Sequence, residues 1–222
     1  MIAWLMTVAL AGAPEGSVTA PGKGCESRSE ADNEAFTAEL KKLYDDELAE
    51  ALARSQGEKA KDKSVARANE ALSKESRGEL CTADQQFWAA MVMLNATKES
   101  AAARAYHLGE HLVTERYSRG PWLAAVAYDR WAVSQGSLQF YGSQTRAADG
   151  KVCLYWIDPT FPDDRRKAYG HPTLTEVITK ILEVNGRGGD EATVARLQHL
   201  DLWCKPEPWS GKRSDLQDPY AR

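Results

Sequence analysis

Tyr128-Asp-Arg-Trp-Ala-Val-Ser-Gln-Gly-Ser-Leu-Gln-Phe-Tyr-Gly-Ser-Gln-Thr-Arg146 is the stretch on which the fold turns. Its first residues continue a helical apolar pattern, Gly136 ends that pattern, and from Gln139 onward the residues suit extended chain. The segment therefore marks a junction between a helical body and a β element. It also gathers Asp129, Arg130, Gln139, Tyr141 and Gln144, the candidate binding cluster of the chain. A carboxylate, a guanidinium and two primary amides can close into one hydrogen-bonded network, because amides both donate and accept. Such a network serves either as a clasp between helix and hairpin or as a pocket offering the same groups to a ligand. On an extended segment Gln139, Tyr141 and Ser143 would share one face, with Phe140, Gly142 and Gln144 on the other. Gly142 marks a bulge or a close backbone approach.

Upstream the sequence is helical. Phe36, Leu40, Leu43, Tyr44, Leu48, Ala51 and Leu52 repeat at three and four, with acids and lysines opposite. The run Asp45-Asp46-Glu47 reads as the solvated face of this helix. After a break at Gln56 to Lys63, a second helix over 64–77 turns Val65, Ala68, Ala71 and Leu72 inward, and Gly78 suits its cap. Thr82-Ala-Asp-Gln85 is a capping box that opens a third helix, apolar enough for the core. A fourth is expected over 99–117, with small alanines allowing close approach. Pro121 suits the first turn of a fifth, ending at Ser134.

Downstream, 139–146 and 151–157 read as two strands joined through Asp149-Gly150, a hairpin signal. A proline-rich turn and a short helical piece over 164–169 follow. Thr173-Leu-Thr-Glu176 is a second capping box before an amphipathic helix, and a last helix is expected over 190–200. The fold class is mainly α: a compact helical domain of five to seven helices with one short β-hairpin near 139–157. The expected organisation is a signal peptide at 1–13, a flexible lead-in at 14–33, one helical domain at 34–204, and a disordered tail at 205–222.

The junction also carries a resemblance. In a widespread bacterial family of unknown function, a helix with an Asp-Arg pair is followed by Gly-x-Pro-Gln-x-Tyr-Gly-Thr-Gln. Here Asp129-Arg130 precedes Gly136-Ser-Leu-Gln139-Phe-Tyr141-Gly142-Ser143-Gln144, with Leu138 for the proline and Ser143 for the threonine. Leu80-Cys-Thr82-Ala-Asp84 and Trp88-Ala-Ala-Met-Val resemble the family's preceding helix, although Leu94-Asn95 stand where it usually has Gln-His. Leu154-Tyr-Trp-Ile-Asp158-Pro and Asp163-Asp-Arg165-Arg166 echo its continuation. The resemblance spans about residues 60–182 and implies a helical domain with a short β element, but no particular reaction.

The chain has 222 residues, a net charge of −4 and a pI near 5.7, so it carries no basic field to attract nucleic acid or an anionic membrane. Cys25, Cys81, Cys153 and Cys204 lie too far apart in sequence for a zinc knuckle. Their even number fits two disulfides in any of three connectivities. Met1 to Ala13 is an apolar run of signal-peptide length, too short to span a bilayer and followed by small-x-small cleavage sites, although no basic residue precedes it. Together these features point to an exported protein without stable membrane insertion of the mature chain.

One motif competes with the junction. His107-Leu-Gly-Glu110-His111 matches the inverted zinc-hydrolase pattern, two histidines one helical turn apart with a glutamate as general base. A third zinc ligand would come from Glu176, Glu183 or Glu191. Gly109 weakens the helix where rigidity is needed. The first expectation is thus a binding or interaction module with a protein or small-molecule partner and no cofactor. The alternative is a zinc-dependent hydrolase using His107, Glu110 and His111.

Overall fold

Local signals set the helix starts. Thr82 accepts from the Gln85 N–H while the Gln85 side chain accepts from the Thr82 N–H, and Thr173 and Glu176 do the same for a later helix. The computed structural model describes residues 21–55, 61–96, 99–148, 151–186 and Cys204. Within them are α1 (Glu30–Ser55), α2 (Ser64–Ser76), α3 (Ala83–Leu94), α4 (Glu99–Thr114), α5 (Gly120–Ser134), β1 (Thr145–Ala148), β2 (Lys151–Leu154), α6 (Asp163–Ala168) and α7 (Leu174–Val184), after a 3-10 turn at Lys23–Cys25. The mainly helical class with one small hairpin holds.

Helix α3 is apolar nearly all round and therefore sits in the middle, touched by α1, α2, α4 and α5. Phe87, Ala89, Ala90, Val92 and Met93 are its buried residues within the main core. α4 and α5 form an antiparallel pair, fixed by the close approaches Leu112 to Gly120, Gly109 to Ala124 and Tyr106 to Tyr128. A Cβ on Gly109 would lie 2.6 Å from the Ala124 Cα, so this glycine is the contact point of the two helices. A smaller apolar cluster joins Leu154 of β2 to Val177, Ile178, Ile181 and Leu182 of α7. The Asn185 amide seals it by bonding both the N–H and the C=O of Val152 at 2.7 Å.

Several expectations need correction. The hairpin is shorter than the β-competent sequence: Thr145 pairs with Leu154 and Ala148 with Lys151, while Gln139 touches Ile157 only through an isolated bridge. Residues 137–144 form a loop, so the two-face alternation does not hold there. Glu47 is not on a solvated face but 4% exposed, bonded to the buried Arg67 at 2.6 Å; Asp45 and Asp46 do face water, paired with Lys41 and Lys42. The stripe of α1 runs out to solvent at Leu48 and Leu52. The end of the lead-in is docked rather than free. Gly22 N–H donates to Gly78 O at 2.8 Å, Arg28 donates to Glu79 O at 2.9 Å, and Cys25 is bonded to Cys81. The second disulfide joins Cys153 to Cys204. The stretches expected to form a signal peptide, a helix over 190–200 and a disordered tail lie outside the described residues.

Candidate functional site

Asp129, in the last turns of α5, is completely buried. Its carboxylate accepts from the backbone N–H groups of Phe140 (2.7 Å), Tyr141 (3.1 Å) and Ser143 (2.9 Å), and from the Ser143 hydroxyl (2.9 Å). The 137–144 loop is wound around this one side chain. Gly142, at φ +74°, makes the turn and lies so close to Ile157 and Val177 that a Cβ would meet both near 3 Å. Gln139 is equally buried: its amide donates to Gln144 O and Tyr155 O and accepts from the Gln144 N–H.

The guanidinium of this clasp is Arg166, not Arg130. Arg166 is 1% exposed and donates to the carbonyls of Phe140 (2.8 Å), Phe161 (2.6 Å) and Asp158 (2.9 Å), as well as to Asp163 (2.8 Å). Arg130 points away from Asp129, as successive helix residues do, and among the described residues its one hydrogen bond is to the Gln144 amide at 3.4 Å. Gln144 donates to Ser143 Oγ at 3.0 Å and to Val126 O at 3.5 Å. Burial pushes the Asp129 carboxyl up to about 6, against the loop donors that pull it down. The lone pairs of Asp129 and Gln139 are thus committed to the fold.

Tyr141, fifth of the candidate residues, belongs to a different assembly. Its ring lies 5.4 Å from Tyr169 and 5.5 Å from His171, and edge-on to Tyr128 at 6.5 Å; Tyr128 in turn meets Tyr106 at 5.7 Å. Stacked Phe140 and Phe161 back this group at 4.6 Å. The charge of Glu110, one turn along α4 from Tyr106, acts on Tyr106, Tyr141 and Tyr169 together. Desolvation is the main reason each of these phenols titrates high, and it alone raises the Glu110 carboxyl. Burial lowers the His171 imidazole, which donates to the Trp122 backbone and leaves a buried Nε2 without a partner. Among the described residues, no hydrogen bond or ion pair reaches the Glu110 carboxyl or the hydroxyls of Tyr106, Tyr128, Tyr141 and Tyr169. Tyr106, Tyr128 and Tyr141 are buried, whereas Glu110 and Tyr169 are half-buried, so the group reaches the surface at those two residues.

The histidine motif is split. Glu110 belongs to the tyrosine group, whereas His111 lines a separate cleft of about 680 Å³ with Gln86, Glu115 and Tyr117. Among the described residues no three His, Cys, Asp or Glu side chains converge to hold a metal. Glu176 is occupied by its capping box, Glu183 faces Lys180 at 3.4 Å, and Glu191 lies outside the described residues. The zinc reading therefore finds no third ligand among them.

The sequence pointed to Asp129, Gln139, Tyr141 and Gln144 through their crowding. It missed the roles of Arg166, Tyr106, Tyr169 and His171, which share no spacing pattern and come from two distant parts of the chain, Tyr106 from α4 and the other three from α6 and the residues just after it. The only signal for Glu110 was a metal motif. No family model matches this chain, and no curated protein or solved structure matches it.

Proposed function

We propose that this chain is an exported helical binding module, of the bacterial family its junction resembles, and that its ligand seats on the tyrosine group around Glu110. One observation carries the reading: Glu110 keeps a carboxyl in a partly desolvated place with no protein partner. Burying a charge without a partner opposes folding, so such a group is retained where something outside the chain supplies the partner. Asp129 and Gln139 then act indirectly, by holding the loop that presents Tyr141. The kinship is supported by the fact that Asp129, Gln139, Gly142 and Ser143, which carry the resemblance, are the residues on which the loop depends. Export is supported by the pairing of all four cysteines, which fits an oxidising compartment.

A thermal-shift screen of small polar molecules tests the seat. Molecules that stabilise the wild type should lose their effect in Glu110→Gln and Tyr141→Phe and keep it in Arg130→Ala. The opposite pattern, with loss only in Arg130→Ala or Gln144→Ala, would move the ligand to the cluster on the other side of the loop.

A further inference from the structure

On the strength of that seat, we propose that the ligand is an organic cation, an alkylammonium group held between the Glu110 carboxylate and the rings of Tyr106, Tyr141 and Tyr169. The chemistry of the group is one-sided. Glu110 is an anion with no cation beside it. The tyrosine rings offer negative π faces, which attract ammonium groups, the more so where water is excluded. The phenol oxygens have free acceptor capacity. His171 stays neutral; one ring nitrogen donates to Trp122, so Nε2 carries a lone pair and adds no opposing charge.

The neighbouring guanidinium that could serve an anion is withdrawn, since Arg166 is spent on three loop carbonyls and Asp163. Among the described residues the cation whose charge reaches this group is the exposed Arg165, which acts on Tyr169 alone. An anionic ligand would meet Glu110 with only the exposed Arg165 to offset it. A neutral donor could hydrogen-bond that carboxylate but would leave its charge uncompensated. An ammonium group compensates the charge and also suits the ring faces.

The test is a titration of the full, disulfide-intact chain, labelled in its tyrosine rings and followed by NMR at constant ionic strength. The probes are tetramethylammonium, n-butylammonium, n-butanol and butyrate. The proposal predicts saturable shifts of Tyr106, Tyr141 and Tyr169 with the two ammonium ions only, weakened about tenfold in Glu110→Gln, as expected for loss of roughly 1.4 kcal/mol. Tyr169→Leu, which leaves α4 untouched, should weaken them comparably. Saturable binding of butanol as strong as that of butylammonium, indifferent to Glu110→Gln, would overturn the cation and keep the seat. Binding of butyrate in preference would do the same. Silence of all three rings toward every probe in the folded protein would overturn the seat as well.

Discussion

Asp129 is a fully buried acid and Glu110 a half-buried one, and their surroundings give them opposite roles. Asp129 has four donors within 3.2 Å, three of them backbone N–H groups of one loop. Deleting its carboxyl leaves those N–H groups enclosed and unpaired, at roughly 1–3 kcal/mol for each orphan. Asp129→Ala should therefore lower the unfolding free energy by about 3–5 kcal/mol in urea denaturation. A loss under 1 kcal/mol would mean that the loop keeps its shape without the carboxylate. Glu110 has no such donors. Its carboxyl is raised by burial alone, so its ionised form opposes folding.

Between elements, what could be read in the sequence was whatever depends on near neighbours. The helices α1 to α5 and the boxes at Thr82 and Thr173 came through because hydrogen bonds and side-chain faces within a helix repeat over three and four residues, although Val65 of α2, expected to face inward, is exposed, as are Leu48 and Leu52 of α1. The 137–144 loop did not, because Gln139, Phe140 and Tyr141 have strand-like chemistry while their N–H groups answer to a side chain on α5. Nor did the tyrosine group, which α4, α5, the loop and the segment after α6 assemble jointly. Gly109 was legible only as a weak point. In helix propensity alanine is better by about 1 kcal/mol. Yet a Cβ there would sit 2.6 Å from backbone atoms of Ala124, and overpacking of that kind costs roughly 1–3 kcal/mol. Packing should win: Gly109→Ala is expected to shift the urea midpoint downward, and an upward shift would show that α4 and α5 can separate freely.

Across the molecule, two bridges tie the ends to the core. Cys25–Cys81 fixes the segment before α1 to the start of α3, and Cys153–Cys204 ties β2 to the distal chain, with sequence separations of 56 and 51. By loop entropy each bridge is worth about 4 kcal/mol. Protein unfolded without reductant should yield no titratable thiol; four reactive thiols would contradict both the pairing and export. The clasp around Asp129 stabilises the fold, whereas the half-buried acid at Glu110 is the proposed anchor of a ligand. Thermal unfolding of Glu110→Gln across pH separates these roles. An acid whose folded pKa is raised supports folding while protonated and loses that support as pH rises through the raised value. Glu110→Gln should therefore melt above the wild type at pH 7, with the advantage fading as pH falls into the ordinary carboxylate range. A variant that melts well below the wild type at pH 7, as Asp129→Ala is expected to do, would make Glu110 part of the scaffold and contradict its assignment as the ligand's anchor.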